Sequence, residues 1–177
     1  SFGDVACFSF YPTKNLGCYG DGGAIVTDDD ELADRLRSLR EYGQTEKYNY
    51  ETVGYNSRLD TIQAAVLSAK LDHLDQWNED RRTAAARYNR LLDTTPLSLP
   101  TCRDNVEHVY HLYVVRTRSP TERNELQTYL EDNGVQTGIH YPVPVHEQES
   151  YRSHAADSVP VTKQVAQEIL SLPLDPE

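Results

Sequence analysis

A glycine-rich loop between two apolar runs constrains the fold of this chain more than any other feature. Residues 11–23 (YPTKNLGCYGDGG) hold four of the nine glycines and a proline, a composition typical of a loop. Residues 5–10 (VACFSF) before it are small, β-branched or aromatic, and residues 24–27 (AIVT) after it form a second short apolar run. Both runs predict strands, the first of them buried. The sequence therefore predicts strand, loop and strand at the start of an α/β fold.

A capped helix and a long helical stretch come next. Acidic residues at 28–30 supply an N-cap and first turn, leucines follow at helical spacing, and Gly43 marks the end. Residues 44–57 are polar and rich in tyrosine, which predicts a loop. From Leu59 to about Leu92 apolar residues recur in helical rows. This pattern predicts either one long kinked helix or two helices in succession.

The remainder of the chain predicts a small α+β unit. Residues 109–117 have the composition of a strand, and a helix is expected from a Thr121 cap to Asn133. Residues 135–145 are expected to be extended and broken by prolines. A last helix is predicted from a Thr162 cap to a stop at Pro173. The long helical stretch then acts as a spine between two domains.

Composition excludes several classes of protein. The net charge is -11, and a nucleic-acid-binding surface needs the opposite sign. No apolar run approaches the roughly 18 residues that a membrane span requires. The three cysteines are odd in number and lack C-x-x-C spacing, which favours reduced thiols in the cytoplasm over disulfides or a zinc site. The chain begins at Ser1 and has no Met, so we expect a piece of a longer protein.

Lys14 is the strongest candidate for chemistry, although a loop lysine is most often a solvated surface residue. It is one of only four lysines, follows a strand predicted to end at a cleft, and precedes the glycines that allow close approach of a ligand. A desolvated lysine can attack an aldehyde to form a Schiff base. Ser9 can donate its hydroxyl to a phosphate, or it can simply bond to the backbone of its strand.

Two other kinds of site fit less well. The glycine spacing does not match G-x-G-x-x-G, and no helix is predicted to start there, so a dinucleotide loop is set aside. His108 and His111 are three apart on a predicted strand and would face opposite sides. His140 and His146 lie in a proline-rich segment without nearby cysteines or acidic clusters. No metal site is predicted.

The chain resembles the DegT/DnrJ/StrS family of sugar aminotransferases, which depend on pyridoxal phosphate (PLP). Six blocks carry the resemblance in the family's order and spacing: SFYPTKNLG, GDGGAIVT, GYNSRLDTIQAAVLSAKLDHLDQWNEDRR, YHLYVVR, TGIHYPVPVH and ILSLPLDP. The resemblance implies the C-terminal half of a protein with the aspartate-aminotransferase fold. Residues 1–75 would end the large PLP-binding domain. Residues 76–177 would be the linking helix and an incomplete small α+β domain.

The resemblance also implies the residues that hold PLP. Lys14 would form the Schiff base with PLP and carry the proton during transamination. Ser9 would contact the cofactor phosphate, and Asn56 would reach the phosphate of the neighbouring subunit. This implies a homodimer with shared active sites.

Substrate-binding residues are implied in the same way. Arg58 would lie near the carboxylate of the amino donor, because a guanidinium grips a carboxylate with two hydrogen bonds. His140 and Tyr141 would border the sugar pocket. From the sequence alone, Asn56 could equally be a turn residue and Arg58 a surface charge.

The expected function is transfer of an amino group from an amino acid, glutamate or glutamine, to a nucleotide-linked keto sugar. Three alternatives remain, of which two are a non-catalytic regulatory or scaffold relative and an aminotransferase of a non-sugar cyclic ketone. A third is an independent α+β binding module. The 177 residues alone are expected to bind PLP weakly or not at all, because the family places the aspartate that faces the ring nitrogen upstream of them.

Overall fold

The computed structural model describes residues 3–154 and 159–175. The chain divides into two compact units, with the division between Asp75 and Gln76. Pro176, which closes the last of the six blocks, lies outside the described residues. Within the described ranges, no helix combines the length and the apolar character needed to cross a membrane.

The first unit opens with a two-stranded antiparallel sheet. Strand β1 (Ala6–Ser9) pairs with β2 (Gly23–Val26), so that Ser9 lies opposite Gly23. The prediction of strand, loop and strand is confirmed, but the prediction that the first strand is buried is wrong. Phe8 is 53% exposed and Ile25 51% exposed, because two paired strands bury little of either face without a further layer.

Helix α1 (Asp30–Arg40) follows the sheet as predicted. The Asp29 carboxylate accepts a hydrogen bond from the backbone N–H of Leu32 (3.0 Å), which caps the helix. Asp30 and Glu31 lie in its first turn, where negative charge complements the helix dipole.

The segment predicted as a loop at residues 44–57 contains a small hairpin instead. Strand β3 (Gln44–Glu46) pairs with β4 (Asn49–Tyr50) across a bulge. These strands are too short and too polar to show the alternation by which a strand is recognised. The hairpin returns the chain to the end of α1, where the backbone N–H of Tyr55 donates to the carbonyl of Leu39 (2.7 Å).

The long helical stretch is two helices in succession, one of the two predicted arrangements. Helix α2 (Thr61–Leu71) and helix α3 (Leu74–Leu92) are separated at Asp72 and His73. The His73 backbone N–H donates to the carbonyl of Lys70 (3.0 Å), a short-range turn bond that replaces the helical pattern.

The second unit is built on another antiparallel pair of strands. Strand β5 (Tyr113–Arg116) pairs with β6 (Ile169–Leu172). Strand β5 is shorter than the 109–117 prediction, since Tyr110 has a positive φ of 41° that strand geometry excludes.

The helices of this unit differ from the predictions at their ends. Helix α4 (Pro120–Asp132) is capped by the Ser119 hydroxyl rather than by Thr121. Helix α5 (Pro160–Glu168) begins before Thr162 and ends before Ile169, so the predicted stop at Pro173 is wrong. Residues 169–172 form β6 because pairing with β5 buries Leu170 completely, which outweighs their helical spacing.

The core of the second unit lies around the β5–β6 pair. Ala85 of α3, Tyr113, Val115 and Leu170 have no exposed surface. The Tyr113 hydroxyl donates to the side-chain oxygen of Asn89 (2.6 Å). Burial raises the pKa of Tyr113, and the neighbouring tyrosines add to the shift.

Candidate active site

The loop that carries Lys14 is folded tightly against the ends of its two strands. The Phe10 backbone N–H donates to the carbonyl of Gly22 (2.8 Å), and the Cys18 N–H donates to the carbonyl of Phe10 (2.9 Å). The fully buried thiol of Cys18 lies 2.9 Å from the Phe10 carbonyl and 3.0 Å from the Gly20 carbonyl, within donating distance of both. These bonds fix both ends of the loop and give it a defined shape.

The loop glycines are required by close contacts within the chain. A Cβ on Gly17 would lie 2.4 Å from the carbonyl oxygen of Pro12, and one on Gly23 would lie 2.8 Å from that of Phe8. Real Cβ atoms do not approach backbone oxygens so closely, so a side chain at either position must displace the backbone. These glycines were expected to allow close approach of a ligand, and the structure adds a reason internal to the loop.

Lys14 and Ser9 are both tied to Tyr11. The Lys14 backbone N–H donates to the Tyr11 carbonyl (2.8 Å), and the lysine is half-buried on the loop. The Ser9 hydroxyl oxygen accepts a long hydrogen bond from the Tyr11 N–H (3.4 Å). Because that hydroxyl acts as an acceptor and is exposed, its own proton can be donated to another group.

Helix α2 contacts the same loop through two residues that were not predicted from the sequence. The Tyr19 backbone N–H donates to Oε1 of Gln63 (2.7 Å), and the Lys70 ammonium donates to the carbonyl of Gly17 (2.7 Å). The Lys70 nitrogen also lies 4.8 Å from the centre of the Tyr19 ring. The only signal in the sequence was the scarcity of lysines, which marks Lys70 as much as Lys14.

Asn56 and Arg58 lie together beside the C-terminal end of α1. Asn56 forms an isolated antiparallel bridge with Glu41. The Arg58 guanidinium lies 3.5 Å from the Glu41 carboxylate and 5.7 Å from the centre of the Tyr42 ring. Both residues are exposed, and the half-exposed Arg58–Glu41 pair is weak enough to be exchanged for another carboxylate.

His140 and Tyr141 belong to the second unit, where β6 holds the histidine. His140 Nδ1 lies 2.9 Å from the hydroxyl of the buried Ser171. Gly138 and Ser171 exchange two backbone hydrogen bonds (3.1 and 2.7 Å). A Cβ on Gly138 would lie 2.6 Å from the imidazole of His140. The ring is therefore positioned from two sides, whereas Tyr141 is 70% exposed.

Comparison with known proteins places the whole chain in one family. The model of the DegT/DnrJ/EryC1/StrS aminotransferase family matches residues 1–177. A dTDP-3-amino-3,4,6-trideoxy-alpha-D-glucose transaminase from Streptomyces venezuelae is 50% identical over 175 residues, which cover 97% of this chain and 45% of that protein. The chain therefore spans about half the length of the curated relatives it matches.

Solved structures give the same result. A crystal structure of S. venezuelae DesV in complex with a ketimine intermediate superposes with a TM-score of 0.91 at 50% identity, covering 99% of this chain and 47% of that one. NtdA from Bacillus subtilis, solved with bound cofactor PMP, has a TM-score of 0.87 at 31% identity and covers 99% of this chain and 42% of its own. The aspartate-aminotransferase-like fold class predicted from the sequence is thereby confirmed. The chain belongs to the DegT/DnrJ/EryC1/StrS aminotransferase family.

Proposed function

We propose that the protein of which this chain is the C-terminal half is a PLP-dependent aminotransferase. It transfers an amino group from glutamate or glutamine to a nucleotide-linked keto sugar in the cytoplasm. The observation that carries the proposal is the fixed loop after β1, where the Lys14 backbone N–H and the Ser9 hydroxyl both bond to the backbone of Tyr11. The named activity of the 50% identical relative supports a nucleotide sugar as the substrate.

The residues of the first unit fit a phosphorylated aldehyde cofactor. The exposed Ser9 hydroxyl has a proton to donate to a phosphate oxygen, and the adjacent loop backbone is held by its own hydrogen bonds. Lys14 supplies the amine, and its half-buried position limits access of water. Bound PLP would supply the electron sink for the carbanion that transamination creates.

Lys14 then has two tasks. Its Nζ would hold the cofactor, and the same amine would accept and release the proton that moves during transamination. A lysine on a mobile loop would perform the second task poorly, because proton transfer needs a fixed geometry. The hydrogen bonds at both ends of the loop meet that requirement.

Three further residues are proposed to bind substrate. Arg58 binds the carboxylate of the amino donor in place of Glu41, from which it lies 3.5 Å away. His140, held by Ser171, and the exposed Tyr141 border the sugar. Asn56 is proposed to contact the cofactor phosphate of a second subunit, which makes the protein a homodimer with shared sites.

The test is chemical trapping in the full-length protein. Borohydride reduction of the PLP-bound enzyme, followed by peptide mapping, is expected to find the cofactor on Lys14. Lys14→Ala is expected to lower turnover of a nucleotide keto sugar by at least about a hundredfold, because both the covalent link and the proton carrier are lost.

Each outcome separates the alternatives. Attachment of the cofactor to another lysine overturns the assignment. Attachment to Lys14 without turnover of any amino donor would favour the non-catalytic relative. Turnover of non-sugar cyclic ketones in preference to nucleotide sugars would replace the proposed substrate.

A further inference from the structure

One face of helix α2 contacts the Lys14 loop through two hydrogen bonds. Gln63 and Lys70 are seven residues apart, two helical turns, so they project from the same face with about 10 Å between them along the axis. Gln63 accepts from the Tyr19 N–H, and Lys70 donates to the Gly17 carbonyl, each at 2.7 Å. The two contacts therefore lie on either side of Cys18.

The Lys70 contact has two parts that reinforce each other. The ammonium donates to a carbonyl oxygen, and a hydrogen bond from a charged donor is stronger than one between neutral groups. The same nitrogen lies 4.8 Å from the centre of the Tyr19 ring, within range of a cation–π interaction. Tyr19 is itself bonded through its backbone to Gln63, so the two contacts share one loop residue.

Backbone contacts connect the residues that α2 holds, Gly17 and Tyr19, to the turn that carries Lys14. The Cα of Gly17 packs so closely on the Pro12 carbonyl that a Cβ would lie 2.4 Å from it. Lys14 lies in the turn between these two residues and donates its N–H to Tyr11. A shift of Gly17 toward Pro12 would therefore press on the turn that carries Lys14.

We propose that Lys70 and Gln63 are positioning residues that hold the Lys14 loop in the geometry needed for proton transfer. The proposal rests on the function proposed above for Lys14. Lys70 acts through Gly17 and Gln63 acts through Tyr19. Neither is proposed to touch the cofactor or the substrate.

The first test uses hydrogen exchange in the full-length, cofactor-free protein. In Lys70→Met, amide exchange in the peptide covering residues 10–22 is expected to become on the order of tenfold faster, because one charged hydrogen bond is lost. Lys70→Arg keeps the charge and a donor, and is expected to restore most of the protection. The matched control is Lys163→Met, which removes a lysine that pairs with Glu147 in the second unit and should leave this peptide unchanged.

A second pair of variants keeps the proposal falsifiable if Lys70→Met folds poorly. Gln63→Leu removes the acceptor for the Tyr19 N–H, whereas Gln63→Glu retains an oxygen at the same position. Leu is expected to speed exchange of the loop peptide several-fold, and Glu is expected to leave it near the wild-type rate. Equal rates in the two variants would show that the acceptor plays no part.

Steady-state kinetics with PLP bound distinguish a role of Lys70 in positioning Lys14 from a role only in stabilising the fold. In Lys70→Met we expect kcat to fall about tenfold while KM for the nucleotide sugar stays within twofold, because only the proton-transfer geometry is disturbed. The proposal is overturned if loop exchange is unchanged, or if exchange rises equally throughout the protein. Another outcome is that borohydride trapping finds the cofactor on another residue while Lys70→Met still speeds exchange of the loop. In that case the proposed function is wrong, but the role of α2 in holding the loop stands.

Discussion

At the scale of single residues, two glycines allow the steric clash of an added side chain to be separated from the strain of a positive φ. Gly43 and Gly134 have almost the same positive φ, +81° and +77°. A Cβ on Gly43 would lie 1.8 Å from the carbonyl oxygen of Thr52, whereas one on Gly134 would meet nothing within 4 Å. Any difference between their alanine variants therefore measures the steric term.

Gly134→Ala is expected to lower the free energy of unfolding by about 1 kcal/mol, the cost of a left-handed residue that is not glycine. Gly43→Ala is expected to cost roughly 3 kcal/mol or more, because the Thr52 backbone must also move. Equilibrium urea unfolding of both variants checks this. Equal losses would show that the hairpin shifts without cost.

The sequence marks Lys14 as a candidate residue, but it could not have predicted that Lys70 of α2 contacts the same loop. Lys14 has local signals, because the strand before it and the glycines after it are its neighbours in the sequence. Lys70 lies 53 residues from the carbonyl it contacts, and only the packing of a helix on a loop brings the two together. Residues that act at a distance in sequence leave no local pattern.

At the scale of elements, Glu168 joins helix α5 to strand β5 and the residue after it through hydrogen bonds. Its carboxylate accepts from the Arg116 guanidinium and from the side-chain amide of Gln164, and its carbonyl accepts from the N–H and hydroxyl of Thr117. The residue is 5% exposed. The bond to Arg116, and then the one to Gln164, lowers the pKa of Glu168 below its ordinary value of 4.5.

The lowered pKa fixes the sign of a pH dependence. A carboxylate whose pKa is lower in the folded state stabilises the fold above its ordinary pKa, and this contribution is lost as the pH falls through the folded value. Glu168→Gln is therefore expected to be less stable than wild type at pH 7 and to approach wild type as the pH falls through the lowered pKa of Glu168. Thermal unfolding from pH 3 to pH 7 measures the difference. A constant gap between the two proteins would contradict the assignment.

The same junction shows why some elements were mispredicted. Residues 165, 166, 169 and 170 have helical spacing, and no local residue marks the change to strand at Ile169. That change is imposed by β5, more than fifty residues earlier, through the register of Val115 with Leu170. Helix α1, by contrast, has its cap, its acidic first turn and its glycine stop within its own sequence, and it was predicted well.

At the scale of the whole chain, the first unit exposes apolar strand residues that folded proteins usually cover. Phe8, Ile25 and Val26 of the strands, and Val5 just before β1, are each between 41% and 53% exposed. The chain spans about half the length of its relatives. Two-stranded sheets of this kind need a further layer to cover their apolar faces.

The 177 residues expressed alone are accordingly expected to bind a hydrophobic dye several-fold more strongly, per mole, than the full-length protein does, because exposed apolar patches of this kind attract such dyes and lead to association. They are also expected to bind PLP weakly or not at all. Dye fluorescence, sedimentation and PLP absorbance check these expectations. A monomeric product without dye binding would instead support the independent binding module.

The buried thiol of Cys18 gives the protein an internal reporter. Cys7 and Cys102 are exposed, whereas Cys18 has no accessible surface and its thiol lies within donating distance of the Phe10 and Gly20 carbonyls. Alkylating reagents must therefore wait for the loop to open before they reach Cys18, although they reach the exposed Cys102 directly. The rate at which Cys18 is alkylated then measures the rate of loop opening, and mass spectrometry can follow it in the unlabelled native protein.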